Sequence, residues 1–268
     1  MQIFRYKADI IPVILFLGYF LLDIGVYFSV DSISFIIAYT IVGIPLKGLI
    51  CAWNHHHQHV SIFALAPLNR LLEVVYGFQT GIVGYGWVLH HNLGHHVHYQ
   101  DQSLDESAWK SQKGNSYHPL IYTWIVSVTA YFRAWQVGSK YPRIRGYFLS
   151  MCAIQLTLLI GFLIYSPLSG IFIFVVPMVT GILLTVYTTY YHHSGLESSD
   201  PYESSYNITQ GWYNLLTGNL GYHTAHHLKG NLHWSKLPEY HAQIESKIAE
   251  KYYKKYELLW HSRFREAI

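Results

Sequence analysis

The chain has 268 residues, of which 51% are hydrophobic, 17% are aromatic and only 12% are charged. Soluble domains carry about 25% charged residues, so this composition excludes an ordinary water-soluble domain, and its apolar content excludes a disordered chain. The net charge of +3 comes without the basic stripe that nucleic-acid binding requires, and Cys51 and Cys152 alone do not make a disulfide scaffold. The composition therefore predicts an integral membrane protein.

The apolar residues are concentrated in four stretches that are each long enough to cross a bilayer, which takes about 20 helical residues. In chain order they cover residues 10–30, 33–50, 147–165 and 168–191. Two residues separate the first stretch from the second, and two separate the third from the fourth. Each pair is therefore predicted to form an antiparallel helical hairpin. The expected fold class is an all-α membrane protein, with 1–268 as a single domain of four transmembrane helices.

Two further apolar regions are predicted to lie on the cytoplasmic membrane surface as interfacial helices. Residues 71–89 contain four glycines, which weaken a continuous helix. Residues 119–137 mix tryptophan and tyrosine with Arg133, as interfacial helices do. The polar segment after Pro238 has a helical pattern and is expected to cap the cytoplasmic face.

Asp23 and Lys47 are the only charged residues within the predicted spans. Lys47 lies near the end of its span, where its long side chain is expected to reach the membrane surface. Asp23 lies deeper and requires a buried or interfacial partner.

The distribution of Lys and Arg predicts the orientation in the membrane. Apart from Lys47, every Lys and Arg lies in the N-terminal arm, in 51–146 or in 192–268, and neither hairpin turn carries one. By the positive-inside rule these three segments, and both termini, are predicted to be cytoplasmic. The first apolar stretch lacks a small-x-small cleavage pattern, so it is expected to be a retained span and not a signal peptide.

Histidine is the unusual component, with 18 copies. Fourteen of them fall in four short windows, at residues 55–59, 90–98, 192–193 and 223–227. An even number of predicted spans separates each window from the next, so all four are expected at the same membrane face. Residues three or four apart share one face of a helix, so each window is able to direct two or three imidazoles toward one point.

Nine positions have suitable spacing: His55, His59, His91, His95, His96, one of His192 and His193, His223, His226 and His227. Nine imidazoles are too many for one ion, whereas two metal ions with four or five ligands each fit the count. Imidazole suits iron, copper, nickel or zinc, and spacing alone does not select between them. The neighbouring histidines are expected to be less favourably placed, and the isolated His118, His233, His241 and His261 are expected to be surface or core residues.

The pattern H-x3-H (His55, His59), H-x3-H-H (His91, His95, His96) and H-x2-H-H (His223, His226, His227) resembles the membrane fatty acid desaturase and hydroxylase superfamily. The resemblance covers about residues 50–240. The segment 219–227 and the following Leu237-Pro238 resemble acyl-lipid desaturases. The middle motif and residues 190–196 resemble membrane alkane hydroxylases, and this second likeness selects His193 over His192. Thr189 and His192 stand where the hydroxylase pattern has Asn and Glu.

The resemblance implies two iron ions that activate dioxygen with electrons from a separate donor of the ferredoxin or cytochrome b5 type, and a role in lipid metabolism. It favours introduction of a double bond into the acyl chain of a lipid or acyl thioester, with hydroxylation of an alkyl chain as the alternative. A membrane zinc hydrolase is the alternative from a different class. No catalytic side chain is predicted beyond the metal ligands. Four residues are candidates to accept hydrogen bonds from the free ring nitrogens: Asn92, Asp101, Asp105 and Asn219.

Overall fold

The computed structural model describes residues 2–256, and within that part of the chain the fold is helical with no β-strand. Its α-helices are α1 (Ile10–Ser29), α2 (Ile33–His59), α3 (Ala66–Thr80), α4 (Pro119–Val137), α5 (Pro142–Tyr165), α6 (Pro167–Gly170), α7 (Val176–His193), α8 (Gly211–Thr217), α9 (His223–Leu228) and α10 (Leu237–Ile244). Two segments, Val88–His95 and Ile171–Val175, are π-helical.

Four helices are long and apolar enough to cross a membrane, as the sequence predicts. The first three contain α1, α2 and α5. The fourth runs without interruption from Pro167 to His193 and is made of α6, the π-helical turn and α7; we call it the fourth long helix. The second and fourth helices continue past their predicted ends at residues 50 and 191, because the histidine-containing segments that follow are also helical. Their ends therefore carry His55, His59 and His193 to one end of the bundle.

The helices α1 and α2 run antiparallel and are joined by a buried ion pair. The ammonium group of Lys47 lies 2.6 Å from a carboxylate oxygen of Asp23, and the hydroxyl of Tyr39 donates a hydrogen bond to the other oxygen at 2.8 Å. The expectation that Lys47 reaches the membrane surface is wrong, since this residue is only 3% exposed. Because α2 extends to His59, Lys47 lies well inside the helix, where pairing with Asp23 offsets the cost of burying both charges.

The second predicted hairpin opens away from its turn. Near the turn, the rings of Phe162 and Phe174 are 4.4 Å apart. Farther along, α3 lies between the two helices and contacts both. A Cβ atom at Gly77 would lie 2.5 Å from the side chain of Gln155 on α5, and one at Gly181 on α7 would lie 2.5 Å from the carbonyl oxygen of Thr80. The absence of side chains at these two glycines allows α3 to fit there.

The location of α3 corrects the prediction that residues 71–89 lie on the membrane surface. Phe78, near the end of α3, packs against Val26, Ile36 and Phe174, which lie at the end of the bundle farthest from the histidines. The segment therefore enters the bundle, and the chain then returns through Gly81 to the π-helix that begins at Val88. Two of the four glycines, Gly77 and Gly81, serve instead as close packing contacts with α5 and the fourth long helix.

Helix α4 has the predicted bounds and two apolar faces. One face packs mainly on α7 through residues spaced about four apart: Tyr122, Val126, Ala130 and Ala134. The opposite face exposes large apolar side chains: Leu120, Trp124, Val128, Phe132 and Trp135. An exposed face of this kind suits contact with lipid. The location of α4 on the cytoplasmic membrane surface stays a prediction.

The segment after His193 folds over the histidine end of the bundle with a small core of its own: Ala225, Leu237, Ile244, Ile248 and Tyr252. We call this segment the cap. Asp9 from the N-terminal arm fixes the cap by accepting hydrogen bonds from the Trp234 indole at 2.7 Å and from the imidazole of His233 at 3.1 Å. His233 is thus a buried structural residue, as expected for an isolated histidine, while His261 lies outside the described residues.

Candidate metal centre

All nine predicted histidines come together at the histidine end of the bundle, in two adjacent groups. The groups meet where the rings of His96 and His227 stack with centroids 4.1 Å apart. The histidines come from the ends of α2 and α7, from the π-helix and the residue directly after it, His96, and from the short helix α9 of the cap.

The first group consists of His55, His59, His91, His96 and His226. Potential ligand atoms of four of them, His96 excepted, lie within 4.8 Å of one another. The Nε2 atom of His96 adds to this set, since it is 3.0 Å from Nε2 of His91 and 3.0 Å from Nε2 of His226.

The second group consists of His95, His193, His223 and His227. Ligand atoms of three of them, His223 excepted, lie within 4.8 Å of one another. The Nε2 atom of His223 lies 3.0 Å from Nε2 of His193 and 3.2 Å from Nε2 of His227.

The π-helix decides which histidines of the middle window share a group. Helical spacing alone pairs His91 with His95, four residues later. In a π-helix the repeat is wider, with hydrogen bonds between residues five apart, and the N–H of His96 indeed donates to the carbonyl oxygen of His91 at 2.8 Å. His91 and His96 therefore face the first group, and His95 turns toward the second. The spacing in the sequence does not reveal this division.

The donor set of the second group fits a cation. The Nδ1–H of His95 donates to Asp105 at 2.8 Å, and the Nδ1–H of His193 donates to the backbone carbonyl of Ser204 at 3.0 Å. In a neutral imidazole only one nitrogen carries a proton, so the Nε2 atoms of both rings present lone pairs. These lone pairs face each other across 3.2 Å. A metal ion between them converts this repulsive contact into two coordinate bonds.

Most of the histidines are held in the neutral form that binds metals. Burial, followed by repulsion from neighbouring imidazoles, keeps the pKa of five of those outside the long helices well below the usual value: His91, His96, His223, His226 and His227. A neutral imidazole has a free lone pair at physiological pH. The site is therefore prepared for a cation without first losing protons.

Of the four predicted hydrogen-bond acceptors, Asp105 contacts a candidate ligand. Asp101 is bonded to Ser103 at the surface, and the amides of Asn92 and Asn219 donate to the carbonyl oxygens of Gln58 and Trp234. The acceptor for His193, the carbonyl of Ser204, was not predicted, because a backbone group carries no signal in the sequence.

The histidines adjacent to the two groups have other environments. His56 bonds to the Thr217 carbonyl at 3.0 Å, His57 to Glu73 at 3.3 Å, and His192 to the Tyr206 carbonyl at 3.3 Å. His90 is buried, and neither of its ring nitrogens has a hydrogen-bond partner among the described residues. The structure places His193 in the second group and His192 outside it, while the role of His193 as a ligand stays a prediction.

The fold and the two imidazole groups define a helical membrane protein with a site suited to metal ions. A comparison with protein families identifies a particular family within this class. The model of the fatty acid desaturase family matches residues 32–260. The chain belongs to that family, whose members are oxidoreductases of the desaturase and hydroxylase type. Comparisons with individual curated proteins and with solved structures give no match.

Proposed function

We propose that the nine histidines bind two iron ions, five ligands in the first group and four in the second, and that the protein is an oxygen-dependent fatty acid desaturase of the acyl-lipid type. The main support is the convergence of ring nitrogens, since Nε2 of His193 lies 3.2 Å from Nε2 of His95 and 3.0 Å from Nε2 of His223, in a chain that matches the desaturase family. An all-imidazole donor set suits iron.

When bound, the iron pair supplies oxidation of an unactivated C–H bond by dioxygen, which no amino-acid side chain performs. The protein orients the ligands for it. Asp105 and the Ser204 carbonyl hold the proton of His95 and of His193 on Nδ1, which keeps both Nε2 atoms directed into the second group.

The reaction we favour introduces a double bond into the acyl chain of a lipid or acyl thioester. The segment 219–227, which supplies His223, His226 and His227, supports this choice by its likeness to acyl-lipid desaturases. Hydroxylation at the same site is the second candidate, because the middle motif resembles alkane hydroxylases.

A separate electron donor would dock at the cytoplasmic face, above the first group. Only His59 and His96 among the nine histidines are partly exposed, and both lie beside Gly230, where an added Cβ atom would be 3.5 and 3.2 Å from their Nδ1 atoms. The next residue back along the chain, Lys229, is exposed. A carrier docked here would reach the ligands of the first ion by the shortest path.

Charged residues of both signs lie around the two groups, with more cations close to the first. Near the first group, Lys229 is joined by Arg5 and Lys7 of the N-terminal arm. This arm contacts the segment after His59 through a hydrogen bond from the Arg5 amide to the Ile62 carbonyl. Beside the second group, the loop 194–204 carries three acidic residues, Glu197, Asp200 and Glu203, of which Glu197 forms an ion pair with Lys110. This asymmetry favours docking of a donor with an acidic surface, such as a ferredoxin or a cytochrome b5, on the face above the first group.

The test is expression in a host that supplies such donors, followed by mass spectrometry of total lipids and elemental analysis of the purified protein. Loss of two hydrogen atoms from an acyl chain supports desaturation, and gain of one oxygen atom supports hydroxylation. His226→Ala should abolish the change and lower the iron content, whereas His118→Ala should do neither. One zinc per chain without any oxygen-dependent lipid change would indicate a hydrolase instead.

A further inference from the structure

The short helix α8 of the cap exposes its apolar side chains. Trp212, Leu215 and Leu216 have the i, i+3, i+4 spacing of one helix face, and all three are exposed, whereas Asn214 on the opposite face is buried. Leu215 is 78% exposed, as much as Ile164 on the long helix α5. A helix in water carries polar residues on its exposed face, so the exposed face of α8 is that of a helix in contact with lipid.

Trp53 on α2 determines where α8 lies along the bundle. Its indole N–H donates to the carbonyl oxygen of Leu216 at 3.0 Å, and an added Cβ atom at Gly218 would lie 3.3 Å from its ring. Trp53 comes seven residues, or two helical turns, after Leu46, an exposed residue of a helix apolar enough to span a membrane. The two residues therefore lie on the same face of α2. Helix α8 covers the end of this lipid-facing surface, and its exposed leucines continue it.

Helix α1 gives the depth of this contact. The ring of Phe16 lies 5.6 Å from the ring of Trp53. Phe16 comes six residues after Ile10, where α1 begins, which places it about 9 Å along the helix axis. Two apolar residues in this first part of α1, Ile11 and Ile14, are exposed as lipid-facing side chains are. Helix α8, which is bonded to Trp53, therefore lies near a depth at which α1 already contacts lipid.

The composition around α8 suits the boundary between hydrocarbon and headgroups. No Asp, Glu, Lys or Arg occurs from residue 204 to residue 228, and charged side chains are costly below the headgroups. The ring of Trp212 lies 5.8 Å from that of Tyr256, which is exposed and follows the exposed Lys255. Tryptophan and tyrosine are enriched at the membrane–water boundary, and lysine there favours anionic headgroups. These features favour lipid over another protein as the partner of α8.

Asn214 joins α8 to the ligand-bearing helix α9. Its amide group donates to the carbonyl oxygen of Ile208 at 2.8 Å, and its side-chain oxygen accepts a hydrogen bond from the Gly221 amide at 3.0 Å. The backbone N–H of Asn219 donates to the Asn214 carbonyl oxygen at 2.8 Å. Residues 218–222 alone separate the two helices. A displacement of α8 would therefore also displace the histidines of α9.

We propose that α8 is a membrane anchor of the cap, which inserts Trp212, Leu215 and Leu216 into the bilayer leaflet at the histidine end of the bundle and thereby holds α9 in place. The inference does not depend on the proposed function, because it requires neither a particular metal nor a particular reaction. It assigns to the membrane a part of the segment that the sequence predicts to be cytoplasmic.

The first experiment measures the depth of a nitroxide label in the full-length protein, reconstituted in phosphatidylcholine vesicles. Single labels are attached to Leu215→Cys, to Leu46→Cys on the lipid-facing side of α2, and to Glu239→Cys, exposed on α10 of the cap, in a Cys152→Ser background. Oxygen concentrates in hydrocarbon and a neutral nickel chelate stays in water, so the ratio of their collision rates with the label reports its depth. The ratio at residue 215 should match that at residue 46 and exceed that at residue 239.

Two results would overturn the anchor. One is a label at residue 215 that meets the nickel chelate as often as the label at residue 239 does. The other is a label at residue 215 that is shielded from both reagents, and spin–spin broadening would then identify a second copy of the chain as the partner of α8.

Hydrogen exchange tests the effect on α9. In vesicles, the peptide that contains α9 should exchange at least about tenfold faster in the double variant Leu215→Gln, Leu216→Gln, because burial of one leucine already changes an equilibrium by about that factor. Leu104→Gln, at an exposed position in the loop after the π-helix, is the matched control and should exchange like wild type. Wild-type protection of the long helices verifies that each variant has folded. Unchanged exchange in the double variant would show that α8 does not hold α9 and would overturn that part of the proposal.

Discussion

Asp105 is the residue whose effect on the metal centre is most directly visible, because its carboxylate fixes the proton of His95 on Nδ1. Asp105→Asn removes the negative charge, and the amide group of the new asparagine is able to present an N–H to Nδ1 of His95 in place of an acceptor oxygen. We expect the affinity of the second group for iron to fall about 10- to 100-fold, the usual effect of losing such a partner. Iron titration of the metal-free protein measures this.

The matched control is Asp101→Asn, since Asp101 is exposed and bonded to Ser103 rather than to a histidine. It should keep the wild-type affinity. Equal losses in both variants would mean that Asp105 acts through general charge and not through His95.

At this scale the sequence predicts the residue types of the site and one hydrogen-bond partner, Asp105, but not the other partners. Clustering and spacing select the nine histidines, because imidazoles placed this densely have few other uses. The assignment of His95 and His96 to different groups depends on the π-helical repeat, and the role of Ser204 depends on its backbone carbonyl. Neither feature has a side-chain signature.

Among the elements, α3 depends on glycines to keep its place between α5 and the fourth long helix. A Cβ atom at Gly181 would meet the carbonyl oxygen, the carbonyl carbon and the Cα atom of Thr80 at 2.5 to 2.8 Å. We expect Gly181→Ala to destabilise the protein by about 1–3 kcal/mol, as overpacking does. Thermal unfolding in detergent micelles measures the change.

Gly161→Ala provides the control, since a Cβ atom at Gly161 on α5 has no neighbour within 4 Å. Alanine favours a helix over glycine, so this variant should be as stable as wild type or slightly more stable. A stable Gly181→Ala variant would show that α3 moves freely within the bundle.

The contact between α1 and α2 offers a second test at this scale. Lys47→Leu leaves the carboxylate of Asp23 buried without its cation, which should cost about 3–5 kcal/mol. The double variant Asp23→Leu, Lys47→Leu removes both charges and should regain most of that loss. Unfolding temperatures of the three proteins in detergent test this, and a double variant no better than the single one would contradict it.

Hydropathy predicts the four long helices and the bounds of α4, because apolar length is a local property of the chain. It does not place α3. The decision between surface and interior depends on contacts with Gln155 and Gly181, which lie far along the sequence. The buried position of Lys47 was not predicted for a related reason. Most residues from 54 to 59 are polar, so hydropathy alone ends the second span near residue 50, although the helix continues to His59.

For the molecule as a whole, the predicted orientation places both hairpin turns on the non-cytoplasmic side. Asp31→Cys and Ser166→Cys, in a Cys152→Ser background, should react with a membrane-impermeant thiol reagent only from that side, because no Lys or Arg holds these turns in the cytoplasm. Reaction from the cytoplasmic side alone would reverse the topology. Cys51 is buried and serves as an unreactive internal reference.

The excess of cations near the first group leads to a prediction about electron transfer. Lys229→Glu places a negative charge beside the exposed edge of the first group, so association with an acidic donor should slow about tenfold at low salt and recover partly at high salt. Lys140→Glu, at the exposed link between α4 and α5, should leave the rate unchanged. Stopped-flow reduction of the iron-loaded protein follows both rates.

The short helix α9 gives ligands to both groups, His226 to the first and His223 and His227 to the second. These residues follow all four long helices in the chain, so they are the last ligands to leave the ribosome. In the proposed two-metal centre, neither ion would be enclosed until the long helices have assembled and the cap has closed over their histidine end. Under the proposed function, metal loading would therefore follow assembly of the long helices, and a chain interrupted before α9 would lack three of the nine proposed ligands.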